Sequence, residues 1–540
     1  MARKSVDPFA VFNQPAPRGD IALWSGDLLL RNALGDTAPT ALTAVKQLAE
    51  ELGSAEMAAR GHRLVTGPGP ELKAFDTGGR RLNQVIYPDT YHALMSVGLE
   101  AGYAALPWID DTVGGHAAHA AMVYLMSQIE PGTCCPMTMT YAAIPALAKG
   151  DGLAARLKAL ARARSYDGSD RPIDAKHAAT IGMAMTEKQG GSDIRANTTF
   201  AEPAEDAYRL YGHKWFCSAP MSDAFLTLAQ LPQGLTCFIV PRWQPDGTRN
   251  AMHLMALKNK LGNRANASAE IEYHGAYAEM LGQPGDGIRT ILEMVHHTRL
   301  DTATAPAGLM RRALIEARYW AENRSVFGKP LLRQPLMQSV LADLTLEWMG
   351  AFTLSMRVAK AFDNSANDPA QAAFARLAVA LAKYWNNKRC PLVTAEAMEC
   401  LGGMGYIEDT PMPWLYREAP LNAIWEGSGN IICLDVLRTI AKVPEALNAL
   451  FTELQGAKGA DRTYDLALDA LQSQIAQASE ATARSLTERM ALLLQASLLL
   501  RQPNALAGEI FAQTRLGGDW GHTLGTLPPG TDTGAIVSAI

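Results

Sequence analysis

The sequence predicts an α+β protein in four successive parts. These are an N-terminal arm and helical domain over 1–178, a β-domain over 179–282, a helical bundle over 283–440 and an extra helical domain over 441–540. Three observations carry this division. Ala- and Leu-rich runs with helical spacing fill residues 40–165, and short alternating segments replace them after about 179. Leu336, Met337, Val340, Leu341, Leu344 and Trp348 then fall on one helix face, and that pattern repeats to about 440.

Residues 1–38 are rich in Pro, Gly and Asp and read as an irregular arm. The helical region after them is broken at Gly-Pro-Gly-Pro (67–70) and at Pro131-Gly132. In the β-domain, Tyr208–His213, Ala224–Ala229 and Cys237–Val240 alternate, and turn signals such as Pro-Asp-Gly at 245–247 separate them. That spacing predicts an antiparallel sheet to about 280. Gly285-Asp286-Gly287 marks the return to long helices. The last hundred residues carry a Leu-rich stripe at 480–500 and a Gly/Pro/Thr-rich tail, expected to be loosely ordered.

Composition excludes several function classes. A chain of 540 residues with 48% apolar and 19% charged residues has an ordinary globular balance. No run approaches the ~18 apolar residues of a membrane span, and the N-terminus has no apolar h-region. The seven cysteines (134, 135, 217, 237, 390, 400 and 433) are odd in number and form no Cys-x-x-Cys pair. Reduced thiols in a cytoplasmic protein fit better than disulfides or zinc. His116 and His119 share a helix face without an acid or thiol nearby in sequence, and read as plain helix surface or core rather than metal ligands. No Gly-x-Gly-x-x-Gly follows a strand and no P-loop occurs, which argues against a nicotinamide-binding Rossmann domain. The formal charge of −5 gives no sign of nucleic acid binding.

The chemistry concentrates at residues 424–431, Ile-Trp-Glu-Gly-Ser-Gly-Asn-Ile. Glu426 lies between an indole and a glycine, just before a helix start for which Ser428 is the expected N-cap. A carboxylate in an apolar, glycine-tight place suits proton abstraction from carbon. Burial raises its pKa, and the helix N-terminus limits the rise. Read alone, the octapeptide fits equally an acidic residue decorating a helix start.

Five further segments precede it in order. They are Met-Ala-Met-Thr-Glu-Lys-Gln-Gly-Gly-Ser-Asp (183–193), Gly-His-Lys-Trp-Phe-Cys-Ser (212–218), Lys-Leu-Gly-Asn-Arg (260–264), Arg-Ser-Val-Phe-Gly-Lys-Pro (324–330) and Glu-Cys-Leu-Gly-Gly-Met-Gly-Tyr (399–406). Together with the 424–431 motif they resemble the FAD-dependent acyl-CoA dehydrogenase family over roughly residues 60–440. The whole chain, with Val-Phe-Asn-Gln-Pro near its start and about 100 extra C-terminal residues, is similar to the branch of that family tied to the bacterial DNA-alkylation response.

The resemblance implies an acyl-CoA dehydrogenase-like fold, bound FAD, a homotetramer and α,β-dehydrogenation of a short or branched acyl-CoA, with weak activity. It makes Glu426 the base. It puts Met185, Thr186, Gly191 and Ser192 on the loop beside the flavin, Phe216 on the ring face and Ser218 near N5. Arg324 and Phe327 reach the FAD of a neighbouring subunit, and Gly402 and Gly403 allow close backbone approach. Trp425, Ser428 and Asn430 complete the cofactor side, and Arg299 lies on the substrate side. Without the resemblance, Trp215 and Phe216 read as strand core, and Arg324 as a solvated helix arginine.

Several positions depart from the family pattern: Lys188, Glu399, Glu418, Pro335 between Gln334 and Gln338, and the pair His296 and His297. They imply a retained cofactor site with an altered acyl-CoA pocket. The resemblance also brings duplex DNA as a partner, bound without sequence preference through the extra domain. Residues 441–540 hold seven Lys/Arg against ten Asp/Glu, a formal charge of −3. DNA binding through this domain therefore requires Arg484, Arg489, Arg501 and Arg515 to gather on one face. The alternative is an ordinary FAD acyl-CoA dehydrogenase with no DNA role.

Overall fold

The structure, a computed structural model, describes Asp7 and residues 9–109, 112–205 and 207–540. The N-terminal part is helical, as its periodicity predicts, and the helix Gly115–Met126 is buried on every side. Two elements there differ from expectation. The arm contains a short helix, Leu28–Ala33, capped by the Asp27 carboxylate on Leu30 N. After Gly-Pro-Gly-Pro the chain forms an antiparallel hairpin, β1 (Glu71–Phe75) and β2 (Arg81–Ile86). The turn is organised by Asp76, which accepts from Gly78 N and Arg80 N at 2.8 Å.

The β-domain holds β3 (Ile181–Ala184), β4 (Phe200–Ala204), β5 (Ala207–Ser218), β6 (Ala224–Leu231), β7 (Gly234–Pro241), β8 (Met252–Leu257) and β9 (Ser268–Leu281). Pairings run β6–β4–β5–β9–β7 and return to β6, so these strands close on themselves, with β3 and β8 attached outside. Most pairs are antiparallel as the turn spacing predicts, but β6 takes β3 in parallel, and β4 in parallel at Phe200 and Gln230. The physical reason is the loop that leaves β3: it crosses before β4 instead of turning back as a hairpin.

Three long helices, Gly287–Asn323, Pro335–Asn364 and Pro369–Cys400, form the bundle. Their shared faces are apolar: Leu341, Leu344 and Trp348 of the predicted stripe are fully buried, whereas Leu336, in the first turn of its helix, is 83% exposed. The final domain packs Ala483–Leu500 against them. A buried network ties it down. Arg515 bonds to Asp343 and Glu347, and Arg389 meets Glu347 at 2.8 Å. Burial alone would raise the Glu347 carboxyl, but Arg389 and Arg515 outweigh it and hold it down to about 2.

The tail differs from the loosely ordered segment expected of its composition. Gly525 N and Trp520 Nε1 both donate to Asp343, at 2.7 and 3.0 Å, and Ile536 and Val537 are buried. Its order comes from partners on the bundle about 180 residues away, which composition does not reveal. Among the described residues, no helix is long and apolar enough to cross a membrane.

Candidate functional site

Two surfaces meet at the candidate site. On the β-domain side, the loop after β3 carries Met185, Thr186, Gly191 and Ser192. It is pinned to β5 by Trp215 N donating to Thr186 O at 2.8 Å, and closed on itself by Asn197 Nδ2 donating to Met185 O at 2.9 Å. Beneath it Glu187 is fully buried and accepts from Lys214 Nζ at 2.9 Å and from Thr198 N at 2.6 Å. Gly191 leaves no room for a side chain, since a Cβ there would stand 2.5 Å from the Thr186 hydroxyl. Lys188, which departs from the family pattern, lies over the Trp215 ring at 5.5 Å.

Phe216 is 54% exposed, so it is not strand core. Lys258 Nζ lies 4.9 Å from the ring centroid, and the exposed remainder of the ring is a surface that a flat heteroaromatic ligand can stack on. Ser218, at the end of β5, lies within 3.5 Å of the Ser268 hydroxyl, which accepts from Lys260 Nζ at 3.0 Å. Burial lowers the Lys260 ammonium to about 8.

On the bundle side, Glu426 has φ +57° and Gly427 φ +98°. A glutamate in the left-handed region is strained, and such strain is held only where the surroundings fix it. The Thr298 hydroxyl donates to Glu426 Oε2 at 2.7 Å. Lys383 Nζ donates to Asn422 O and Trp425 O at 2.8 and 2.7 Å. Burial raises the Glu426 carboxyl; the Thr298 hydroxyl, Lys383 and Arg299 oppose that rise, and Asp301 adds to it. Trp425 donates from Nε1 to Asn422 Oδ1 at 2.6 Å.

Burial pushes the Cys135 thiol up to about 12; Lys260 and Ser218 oppose that rise and the Glu426 carboxylate adds to it. Sequence reasoning gave no role to Cys135 or Lys383, and quoted Lys260 only as the start of the 260–264 segment. No local signal marks Lys383, because its partners lie about 40 residues away.

The other expected positions lie as follows. Ser428 is the residue before the helix Gly429–Lys442, as expected, but its hydroxyl makes no capping bond and is left exposed. Asn430 accepts from Arg484 of the last domain at 2.9 Å. Arg299 and Arg376 both bind Asp435, at 2.8 Å for each nearest contact, so Arg299 is turned to a carboxylate of the chain itself. Gly402 (φ +60°) and Gly403 border open space. Arg324 donates to Asn13 O at 3.0 Å, and Phe327, 95% exposed, tips the hairpin Ser325–Pro330. Among the described residues, no hydrogen bond or ion pair joins that hairpin or Gly402–Gly403 to the Phe216 strand.

Glu418 is buried and accepts from Asn263 N and Nδ2, tying β-domain to bundle. His296 stacks on Phe362 at 4.5 Å. His116 and His119 are buried, and His119 meets Asp301 at 2.7 Å. Among the described residues, no group of three or more His, Cys, Asp or Glu could hold a metal. A cavity of about 210 Å³ adjoins the site, lined by Tyr87, Tyr91, Met95, Pro136, Tyr166 and Met221 among others.

Comparison with known proteins defines the class. Residues 182–276 match the acyl-CoA dehydrogenase middle domain and residues 285–441 the acyl-CoA dehydrogenase C-terminal domain. The chain belongs to the acyl-CoA dehydrogenase family, whose members are FAD-dependent. Its branch follows from the first part, where residues 13–168 match the N-terminal domain of the adaptive response protein AidB. The putative acyl-CoA dehydrogenase AidB of Escherichia coli (strain K12) is 43% identical over 515 residues, covering 94% of each chain. Acyl-CoA dehydrogenase family member 11 of Caenorhabditis elegans is 32% identical over 82% of this chain and 72% of its own. The crystal structure of Caenorhabditis elegans ACDH-11 in complex with C11-CoA superposes with a TM-score of 0.84 at 28% identity, covering 95% of this chain and 94% of that one.

Proposed function

We propose that the chain is an FAD-binding dehydrogenase of short or branched acyl-CoA thioesters in which Glu426 is the base. The observation that carries this reading is the Glu426 carboxylate, held in a strained turn 2.7 Å from the Thr298 hydroxyl. The residues present suit FAD. Phe216 offers a largely exposed ring, Thr186, Ser192 and Ser218 offer hydroxyls, and Ser428 leaves its own uncommitted. The relative crystallised with C11-CoA supports an acyl-CoA ligand, while the short or branched acyl chain rests on the family resemblance.

Glu426 takes the α-proton of the thioester, for which a carboxylate of raised proton affinity is suited. The turn fixes the approach of its oxygen, and the Thr298 hydroxyl holds the acceptor orbital in place before substrate arrives. FAD, when bound, supplies the acceptor for the hydride that leaves the β-carbon. The exposed hairpin carrying Arg324 and Phe327 supports a homotetramer in which each hairpin reaches a neighbour's cofactor. Light scattering of the purified protein checks that.

Purified protein should be yellow, and a short branched acyl-CoA should bleach it anaerobically. A colourless protein that takes up no added FAD, or a yellow one that no acyl-CoA bleaches, would overturn the reading.

The proposal does not extend to strong binding of duplex DNA. Arg501 is bonded to Glu453, Arg515 is buried against Asp343 and Glu347, Arg489 reaches Leu516 O and Arg484 holds Asn430. Within one chain these arginines bond to the domain's own groups, so a phosphate-binding face would need arginines gathered from several subunits. Anisotropy titration at low salt with undamaged duplex should give no binding at micromolar protein. Binding that falls steeply with salt and is lost on deleting 441–540 would restore the DNA role.

A further inference from the structure

Lys383 is buried in the middle of the helix Pro369–Cys400, and the proton transfer makes no direct use of it. A buried ammonium needs acceptors for its hydrogens. Here two of the acceptors are the carbonyl oxygens of Asn422 and Trp425, at 2.8 and 2.7 Å, on the segment that leads into Glu426. The segment is otherwise held by short turns, Ile424 N to Leu421 O at 2.9 Å and Trp425 N to the same oxygen at 3.4 Å. Directly after it the chain takes φ +57° at Glu426. A left-handed glutamate next to a glycine would relax unless the preceding carbonyl were fixed, and Lys383 fixes it.

We propose that Lys383 is the positioning residue of the base: it pins the strained turn through two carbonyls, one of them on the residue before Glu426, and brings a buried positive charge to that turn without an ion pair to the carboxylate. The inference rests on Glu426 being the base.

Thr298, Arg299 and Asp301 act on Glu426 from the helix Gly287–Asn323, and Cys135 is coupled to it from the helix Cys134–Leu147. Arg299 and Lys388 act on Lys383. Burial lowers the Lys383 ammonium and Glu426 opposes that, while burial raises the Glu426 carboxyl and Lys383 opposes that. The two titrations are therefore linked, and removing either partner must move the other.

The test is a pH titration of the carboxylic acid C=O band of Glu426 in full-length protein, by infrared difference spectroscopy. The band is assigned by its loss in E426Q. In K383M the midpoint should rise by at least one unit, a tenfold gain in proton affinity, and K383R should restore it. An unchanged midpoint in K383M would overturn the proposal. Should K383M not fold, the same linkage is read from the other side. Nitrogen-15 lysine spectra, assigned with K383R, should place the Lys383 titration lower in E426Q than in the native chain, and an unmoved titration would overturn the proposal equally. Neither measurement uses turnover, so a protein that no acyl-CoA bleaches still reports on Lys383, and a null result on Lys383 leaves the bleaching result standing.

Discussion

On the β-domain side of the site, Phe216 stands 54% exposed and the hydroxyls of Thr186, Ser192 and Ser218 wait on a pinned loop and a strand end. On the bundle side, Glu426 is held by a hydroxyl, a buried ammonium and a left-handed turn. The first surface is an open platform whose side chains do the work directly. The second is a closed device in which most of the groups act on one another. The contrast separates two kinds of contribution. Changes to the platform should alter cofactor binding, and changes to the turn should alter chemistry and its pH dependence.

The largest effect expected is on the turn. Glu426→Gln keeps the size of the side chain and can still accept from Thr298, but it cannot take a proton from carbon. Bleaching by a short branched acyl-CoA should fall by about 10²–10⁴-fold or more, the range a positioned base supplies. FAD content, read from the visible spectrum, should not change. A variant that bleaches at the native rate would move the base elsewhere and end the contrast.

The reverse change is Phe216→Ala on the platform. The ring is largely exposed, so its loss leaves the strand core alone. Stacking of a flat heteroaromatic on an aromatic side chain is worth about 1–3 kcal/mol. FAD affinity should drop by about tenfold to a hundredfold in a fluorescence titration. Bleaching of the enzyme that remains loaded should keep its native pH profile. A shifted profile would show that the two surfaces are coupled more tightly than their construction implies.

The platform was reached through the family resemblance: read alone, Trp215 and Phe216 are strand core, and nothing local sets Thr186, Ser192 or Ser218 apart. The need for a glycine at 191 comes from the Thr186 hydroxyl beside it, which only the folded loop shows. Glu426 was legible through the motif around it. Its supports were not. Thr298 lies 128 residues away, and Lys383 reads as one more cation in an Ala-rich helix. The same limit applies to the fold. The bundle's one-sided stripe and the β-domain's alternation marked their elements, whereas the hairpin Glu71–Ile86 and the ordered tail depend on turns and distant partners. Ser428 marks the helix start correctly, yet makes no capping bond.

The pH dependence follows from the direction of the Glu426 shift. The carboxyl is raised by burial, and only its ionised form can accept the proton. Bleaching should therefore be low in acid and rise with pH through a midpoint above the ordinary glutamate range near 4.3. For stability the sign is opposite. A folded-state pKa above the unfolded one favours the fold below the unfolded value, and that contribution is lost as pH rises through the folded one. Stopped-flow bleaching across pH reads the first effect, and urea midpoints across the same range read the second. A profile centred at or below the ordinary glutamate value would mean that Lys383 and Thr298 outweigh burial.

The smallest effect sharpens the contrast most. Thr298→Val keeps the β-branched shape in a helix, where such a side chain has one preferred rotamer, and removes only the hydroxyl. That hydroxyl has a single hydrogen and faces two acceptors, Glu426 Oε2 at 2.7 Å and Val295 O at 3.1 Å. With the base ionised, the hydrogen belongs to Glu426. Once Glu426 carries the proton, its own O–H can donate to the Thr298 oxygen while the threonine hydrogen turns to Val295 O. The hydroxyl thus serves both states, but the bond to the charged form is the stronger. Its loss should raise the midpoint of the bleaching profile by about one unit, or about 1.4 kcal/mol of preference for the ionised base. The plateau rate at high pH should fall only a few-fold, because Lys383 still pins the turn. A collapse of the plateau with an unmoved midpoint would make Thr298 a packing residue and leave the orientation of Glu426 to the backbone alone.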